Sequence, residues 1–165
     1  MRVTLHEPEE ATNGKAFAGQ ANPGDELFFP HVDSCCALII VGDKVAVGGH
    51  MAAQLPGSEK TDHEAAGRHV WTQVLANHQR LNTPGASCTV VTVGESNWYA
   101  EVVSTIWTAA QPSGVLPLRI TSKFCPYGAD VCVTMADVMV WPCQKNVAYR
   151  YPILDDFAER RDVGE

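Results

Sequence analysis

CCALIIVGDKVAVGGH, residues 35–50, decides how this chain folds. From Cys36 to Val41 every side chain is apolar, and two of the six are isoleucines, so the segment from Cys35 to Val41 reads as a buried strand. Gly42-Asp43 then marks a tight connection, and KVAVGG follows as a second apolar segment, which makes a hairpin the simplest reading. A hairpin brings its two open ends together, placing Cys35 beside His50. Consecutive strand residues face opposite sides, so the adjacent cysteines cannot share a pocket. One of Cys35 and Cys36 is expected in the core, the other toward the histidine.

Outward from this hairpin, residues 1–25 are polar and turn-rich, with Pro23-Gly24 as a turn. LPGSEKTD (55–62) is a loop, and Thr61 or Asp62 is placed to cap a helix over about 63–80, with Ala66, Val70, Val74 and Leu75 on one face. NTPGA ends that helix, and SCTVVTV (87–93) reads as a strand from its β-branched content. Glu95 or Ser96 opens a second helix, NWYAEVVSTIWTAA (97–110), closed by QPSG. LRITSKF (118–124) is a further strand, and DVCVTMADVMVWPC (130–143) is a hairpin turning at 135–137. The charged segment from Ile153 is expected as a short helix or a frayed tail. The fold class is therefore α+β: a β-sandwich or mixed-sheet core packed with two main helices. One domain spans residues 1–165, with its core at about 25–143.

With 165 residues and 45% hydrophobic composition, the chain has enough apolar material for one core. A formal charge of −7 with only 12 scattered basic residues excludes nucleic acid as the expected partner. MRVTLHEPEE lacks the apolar stretch of a signal peptide, and no segment is long enough to span a membrane, so no membrane insertion is expected. A cytoplasmic location is the expectation, with an effector secreted without a classical signal as the other possibility. The cysteines at 35, 36, 88, 125, 132 and 143 are too few for a disulfide scaffold, and their spacings do not suit structural zinc. No cofactor and no metal are expected.

A cysteine hydrolase needs an activatable thiol, an imidazole to take its proton, and N–H donors for the oxyanion. Cys35, at a loop–strand junction, and His50, at the end of the partner strand, supply the first two. Packing residues that meet by accident are the competing reading. His31 and Asp33 stand close in sequence to the thiol; Asp33 is equally suited to orienting a histidine or to forming a turn. His63, His69 and His78 are expected to be solvated on the first helix.

The order of short motifs resembles that of the chemoreceptor glutamine deamidases, the CheD family, and of the related catalytic fold of the cytotoxic necrotizing factor toxins. The residues that carry the resemblance are Asp33-Ser34-Cys35, then Gly48-Gly49-His50 with Leu55-Pro56, then Gly94-Glu95-Ser96-Asn97 opening the second helix, within about 25–143. The resemblance implies a CheD-like fold and hydrolysis of a protein glutamine side chain to glutamate through a thioester at Cys35. His50 would be the base, and His31, Asp33, Ser34 and Gly49 would line the pocket. By analogy with the toxins, the backbone carbonyl of Phe29 would orient His50. The implied partner is a protein substrate bearing the target glutamine. Transglutamination, a non-catalytic binding module of the same fold, and a redox sensor built on Cys35-Cys36 are the alternatives.

Overall fold

The computed structural model describes residues 1–8, 15–54, 60–94, 115–121, 128–143, 146–153 and 159–162, with 115–121 and 159–162 as backbone only. Eleven strands are described: β1 (Arg2–Thr4), β2 (Ala18–Ala21), β3 (Glu26–Val32), β4 (Cys36–Val41), β5 (Ala46–Met51), β6 (Cys88–Gly94), β7 (Val115–Thr121), β8 (Ala129–Val133), β9 (Asp137–Pro142), β10 (Tyr149–Pro152) and β11 (Glu159–Asp162). One helix, α1 (His63–Leu81), lies between β5 and β6. The strands form a five-stranded sheet, ordered β1-β3-β8-β9-β10, and a six-stranded sheet, ordered β11-β7-β6-β4-β5-β2.

These elements stack in three layers, and the central strand β4 shows why its sequence is apolar throughout. Cys35, Ala37, Ile39 and Val41 point into a core shared with Leu27, Phe29, Val131 and Val140 of the other sheet. Cys36, Leu38 and Ile40 point the other way and pack with Val70 and Val74 of α1. A strand covered on both faces has no side to leave polar. The α+β class and the mixed sheets stand as expected. One helix is present among the described residues, while the second expected helix, at 95–110, lies outside them.

β4 and β5 form the expected antiparallel hairpin, in the register Cys36↔Met51, Ala37↔His50 and Val41↔Ala46. β6 pairs antiparallel on the other side of β4 and parallel with β7. The two adjacent glycines of β5 fall on opposite faces, as alternation requires. A Cβ at Gly48 would sit 2.9 Å from Leu27 and 3.0 Å from Phe29, across the inter-sheet core. A Cβ at Gly49 would run into Val70 and Val74 of α1. Gly-Gly thus lets both neighbouring layers approach one strand.

The helix begins where the sequence places it. Asp62 caps it by accepting from the Ala65 N–H at 3.0 Å, and Ala66, Val70 and Val74 are its buried stripe. Its C-cap, Asn82, reaches back to the hairpin: Oδ1 accepts from the N–H groups of Lys44 and Val45, both at 3.0 Å. Replacing Asn82 with alanine leaves these two donors without their acceptor, and is expected to cost about 2 kcal/mol. Urea unfolding would show this as a lower midpoint at unchanged slope; an unshifted midpoint would remove the role.

Three segments depart from the sequence reading. The N-terminal residues, expected as polar and turn-rich, contribute β1, paired parallel with β3, and β2, paired with the edge of β5. The charged C-terminal stretch adds strand β11, parallel to β7, rather than a helix or a frayed end. β10 closes the other sheet against β9. In each case pairing with a sheet edge supplies order that a short polar segment lacks by itself. Among the described residues, no helix is long and apolar enough to cross a membrane.

Candidate active site

Cys35 occupies the bend immediately before β4, and His50 lies on β5 opposite Ala37. Cys35 is two positions from Ala37, so it shares the inter-sheet face with His50 as a diagonal neighbour. Cys36 has the opposite orientation and packs toward α1. The asymmetry expected of the paired cysteines is therefore a consequence of strand alternation. Both site residues are deeply covered: Cys35 is 3% exposed and His50 1%. Gly94 on β6 leaves room for the cysteine pair, because a Cβ there would stand 3.0 Å from the Cys35 carbonyl oxygen and from Cys36 Sγ.

The N-terminal segment completes the site. β1 hands the chain to Leu5, whose N–H donates to the Phe28 carbonyl at 2.8 Å, and the His6 N–H donates to Ala16 at 2.9 Å. This strap crosses from the edge of one sheet to the edge of the other, directly over His50. The Leu5 carbonyl lies 2.9 Å from His50 Nδ1. A carbonyl has no proton to give, so Nδ1 carries a proton, and in the neutral form of the ring the lone pair falls on Nε2. The analogy with the toxins assigned this orienting carbonyl to Phe29. The structure places the Leu5 carbonyl there instead, and the Phe29 ring lies against the imidazole, centroids 6.0 Å apart and tilted by 59°. The physical reason is that Phe29 alternates inward as a core side chain, while the strap brings its own backbone to the ring.

Two positions further on, Glu7 accepts a hydrogen bond from the Cys35 thiol, Sγ to Oε1 at 2.7 Å. The ligand atoms of Glu7, Cys35 and His50 all lie within 4.8 Å of one another. Burial and then the Glu7 hydrogen bond and charge hold the thiol proton more tightly than usual, so Cys35 rests as a neutral thiol. Cys36, wholly enclosed, is likewise pushed up by burial. Glu7 went unnoticed in the sequence because no motif marks it. The one available signal was the alternation Arg2-Val3-Thr4-Leu5-His6, which has the period of a strand.

A cavity of about 390 Å³ opens onto Cys35, lined by Glu7, Ser34, Ala52, Ala53, Gln54, Thr61 and His63. Its size lies in the range of about 300–1,000 Å³ common for small-ligand sites. Ser34 is thus at the cavity, as expected, and His63, expected as a solvated helix residue, stands at its wall. The other expected pocket residues, His31, Asp33 and Gly49, do not line this cavity. Gly49 faces α1, on the opposite side of β5 from His50. His31 sits on a bulge of β3 with φ 51°, its N–H donating to Asp130 at 3.0 Å. Asp33 is exposed against Gly128. The bulge turns the His31 N–H toward Asp130 of β8, while Asp33 stays near enough for its charge to oppose a Cys35 thiolate. A second cavity of about 460 Å³, around Val41, Asp43, Cys88 and Met135, has a thiol in its lining but no histidine.

The geometry sets a pH-dependent reactivity. In the wild type, iodoacetamide should label Cys35 slowly at pH 8 and faster only well above the ordinary thiol pKa of about 8.5. Glu7→Gln removes the negative charge that opposes the thiolate, so the Cys35 pKa falls and labelling at pH 8 is expected to rise about tenfold, one unit of pKa. Peptide mapping of the alkylated site measures this. Equal rates in the two proteins would mean that Glu7 does not govern the thiol.

Neither protein-family models nor curated proteins give a match to this chain.

Proposed function

We propose that the chain is a cysteine-dependent amide hydrolase, with Cys35 as nucleophile and His50 as general base, acting on the side-chain carboxamide of a protein glutamine. One observation carries the reading: thiol and imidazole share a face within 4.8 Å, and a backbone carbonyl fixes the ring so that Nε2 is the basic nitrogen. The glutamine preference rests on the resemblance carried by Asp33-Ser34-Cys35, Gly48-Gly49-His50 with Leu55-Pro56, and Gly94-Glu95-Ser96-Asn97.

In the reaction, His50 takes the Cys35 proton and the thiolate attacks the carboxamide carbon. Backbone N–H groups at Ser34 and Cys35 would hold the oxyanion. As the C–N bond breaks, the imidazolium returns its proton to the leaving nitrogen, giving ammonia and a thioester. His50 then takes a proton from water, whose oxygen attacks the thioester; glutamate leaves and Cys35 recovers its proton. Before this can start, Glu7 must release the thiol. The –NH2 of the incoming carboxamide offers its carboxylate a replacement donor.

The resting contact with Glu7 also favours a second reading, a binding module that keeps the fold with an inert thiol, since catalytic cysteines usually have a lowered pKa. The discriminating test incubates the full chain with a blocked glutaminyl-glycine dipeptide and with an unfolded glutamine-rich protein. The hydrolase releases ammonia and leaves the mass gain of an NH2-to-OH exchange. Added primary amine incorporated in place of water would make it a transglutaminase. If neither probe yields ammonia or amine incorporation, the binding module stands.

A further inference from the structure

The geometry points to a zinc-type transition-metal site formed by Glu7 carboxylate oxygen, Cys35 Sγ and His50 Nε2, with its remaining coordination position open to the 390 Å³ cavity. The three donors come from three separate segments: the strap after β1, the bend before β4, and the end of β5. No short sequence spacing links them, which is why the usual zinc patterns were not visible in the chain.

Four features support this set. First, one ligand atom from each of the three residues already lies within 4.8 Å of the other two. A tetrahedral ion with bonds of about 2.0–2.3 Å needs only small side-chain adjustments to be enclosed. Second, His50 is held as metal-binding histidines are, with its far nitrogen donating to a backbone carbonyl, here that of Leu5 at 2.9 Å. That contact fixes the tautomer and presents Nε2 as the ligand.

Third, the thiol proton lies between Cys35 Sγ and Glu7 Oε1, 2.7 Å apart. A dication taking its place converts S–H···carboxylate into thiolate–metal–carboxylate, and the proton leaves to solvent. Thiolate and carboxylate together cancel the two charges of the ion, so the filled site is electrically neutral. Neutrality matters where Cys35 and His50 are 3% and 1% exposed, because an uncompensated charge there is costly. Fourth, the ligand chemistry is selective. One sulfur, one imidazole nitrogen and one carboxylate suit zinc, cobalt or nickel, and suit magnesium and calcium poorly. Three protein ligands and an open fourth position facing a cavity is the pattern of a reactive or exchangeable site, in contrast to the closed four-ligand structural type.

The binding claim stands on these three side chains and not on amide chemistry. One consequence does rest on the hydrolase reading: an ion at this position occupies both the nucleophile and the base, so zinc would act as a reversible inhibitor.

Titration of the purified, chelator-treated full chain with Co²⁺ tests the site. The expected result is one ion per chain, with a thiolate-to-cobalt charge-transfer band that Zn²⁺ displaces and Mg²⁺ does not. Cys35→Ser should abolish the band, and Cys36→Ser should keep it. Glu7→Gln, altering a partly exposed residue at the cavity wall and thus little threat to folding, should weaken affinity by about tenfold or more. The proposal is overturned if the folded wild type shows no thiolate band. It is equally overturned if Glu7→Gln leaves affinity unchanged, or if the band persists in Cys35→Ser and vanishes in Cys132→Ser. Ammonia release, measured separately with metal removed, keeps the two readings apart. Cobalt binding without ammonia leaves the metal site and removes the hydrolase; ammonia without cobalt binding does the reverse.

Discussion

Gly49→Ala is expected to destabilise the protein by about 3 kcal/mol, at the upper end of overpacking costs. The added methyl points from β5 straight at α1, where it meets Val70 Cγ1 and Val74 Cγ2, the latter at 2.8 Å. Neither neighbour can swing away cheaply, since β-branched side chains on a helix are nearly confined to one rotamer. Relief requires the helix to move, and α1 is fixed at both ends, by the Asp62 cap and by Asn82 on the hairpin. For a chain of this size the cost corresponds to a fall in midpoint of roughly 6–12 °C. Thermal unfolding followed by circular dichroism measures it. Val70→Ala clears part of the space, so the double variant should lose less stability than the two single losses combined. Strict additivity, or a Gly49→Ala protein within about 0.5 kcal/mol of wild type, would show that the layers are not in close contact there.

Removing either chemical partner should have the larger effect on activity. His50→Gln keeps a side chain of similar bulk on the inter-sheet face but has no basic nitrogen, and ammonia release is expected to fall by about 10²–10⁴-fold. Cys35→Ser should lose at least as much, because a hydroxyl beside Glu7 is a far weaker nucleophile than the thiol. Cys36→Ser is the control: its side chain lies on the α1 face, so activity per folded molecule should persist even if stability drops. Circular dichroism and unfolding midpoints separate loss of chemistry from loss of structure. A Cys35→Ser protein with wild-type ammonia release would sink the assignment of the nucleophile.

Much of the central architecture was legible because local patterns and tertiary demands coincide there. The apolar run of β4, the Gly42-Asp43 turn and the Gly-Gly of β5 specify a hairpin with little help from elsewhere. The α1 boundaries follow from Asp62 as cap and from the apolar stripe Ala66, Val70 and Val74. The Cys35–His50 meeting is a geometric consequence of that hairpin, since side-chain alternation and antiparallel pairing fix which residues share a face.

The rest depended on long-range pairing that no local pattern encodes. β1, β2, β10 and β11 are three or four residues each, and become strands only because a neighbouring edge offers backbone partners. Through them the N-terminal strap gains its place. Leu5 and Glu7, more than 25 positions from the hairpin in sequence, then supply the orienting carbonyl and the carboxylate at the thiol. The sequence by itself determined the layer-forming hairpin, the first helix and the pairing of Cys35 with His50. Only the tertiary structure decided what surrounds that pair. Residues 31 and 49, near the thiol or the imidazole in sequence, were turned elsewhere by a bulge and by strand alternation, while sheet closure brought in a distant glutamate.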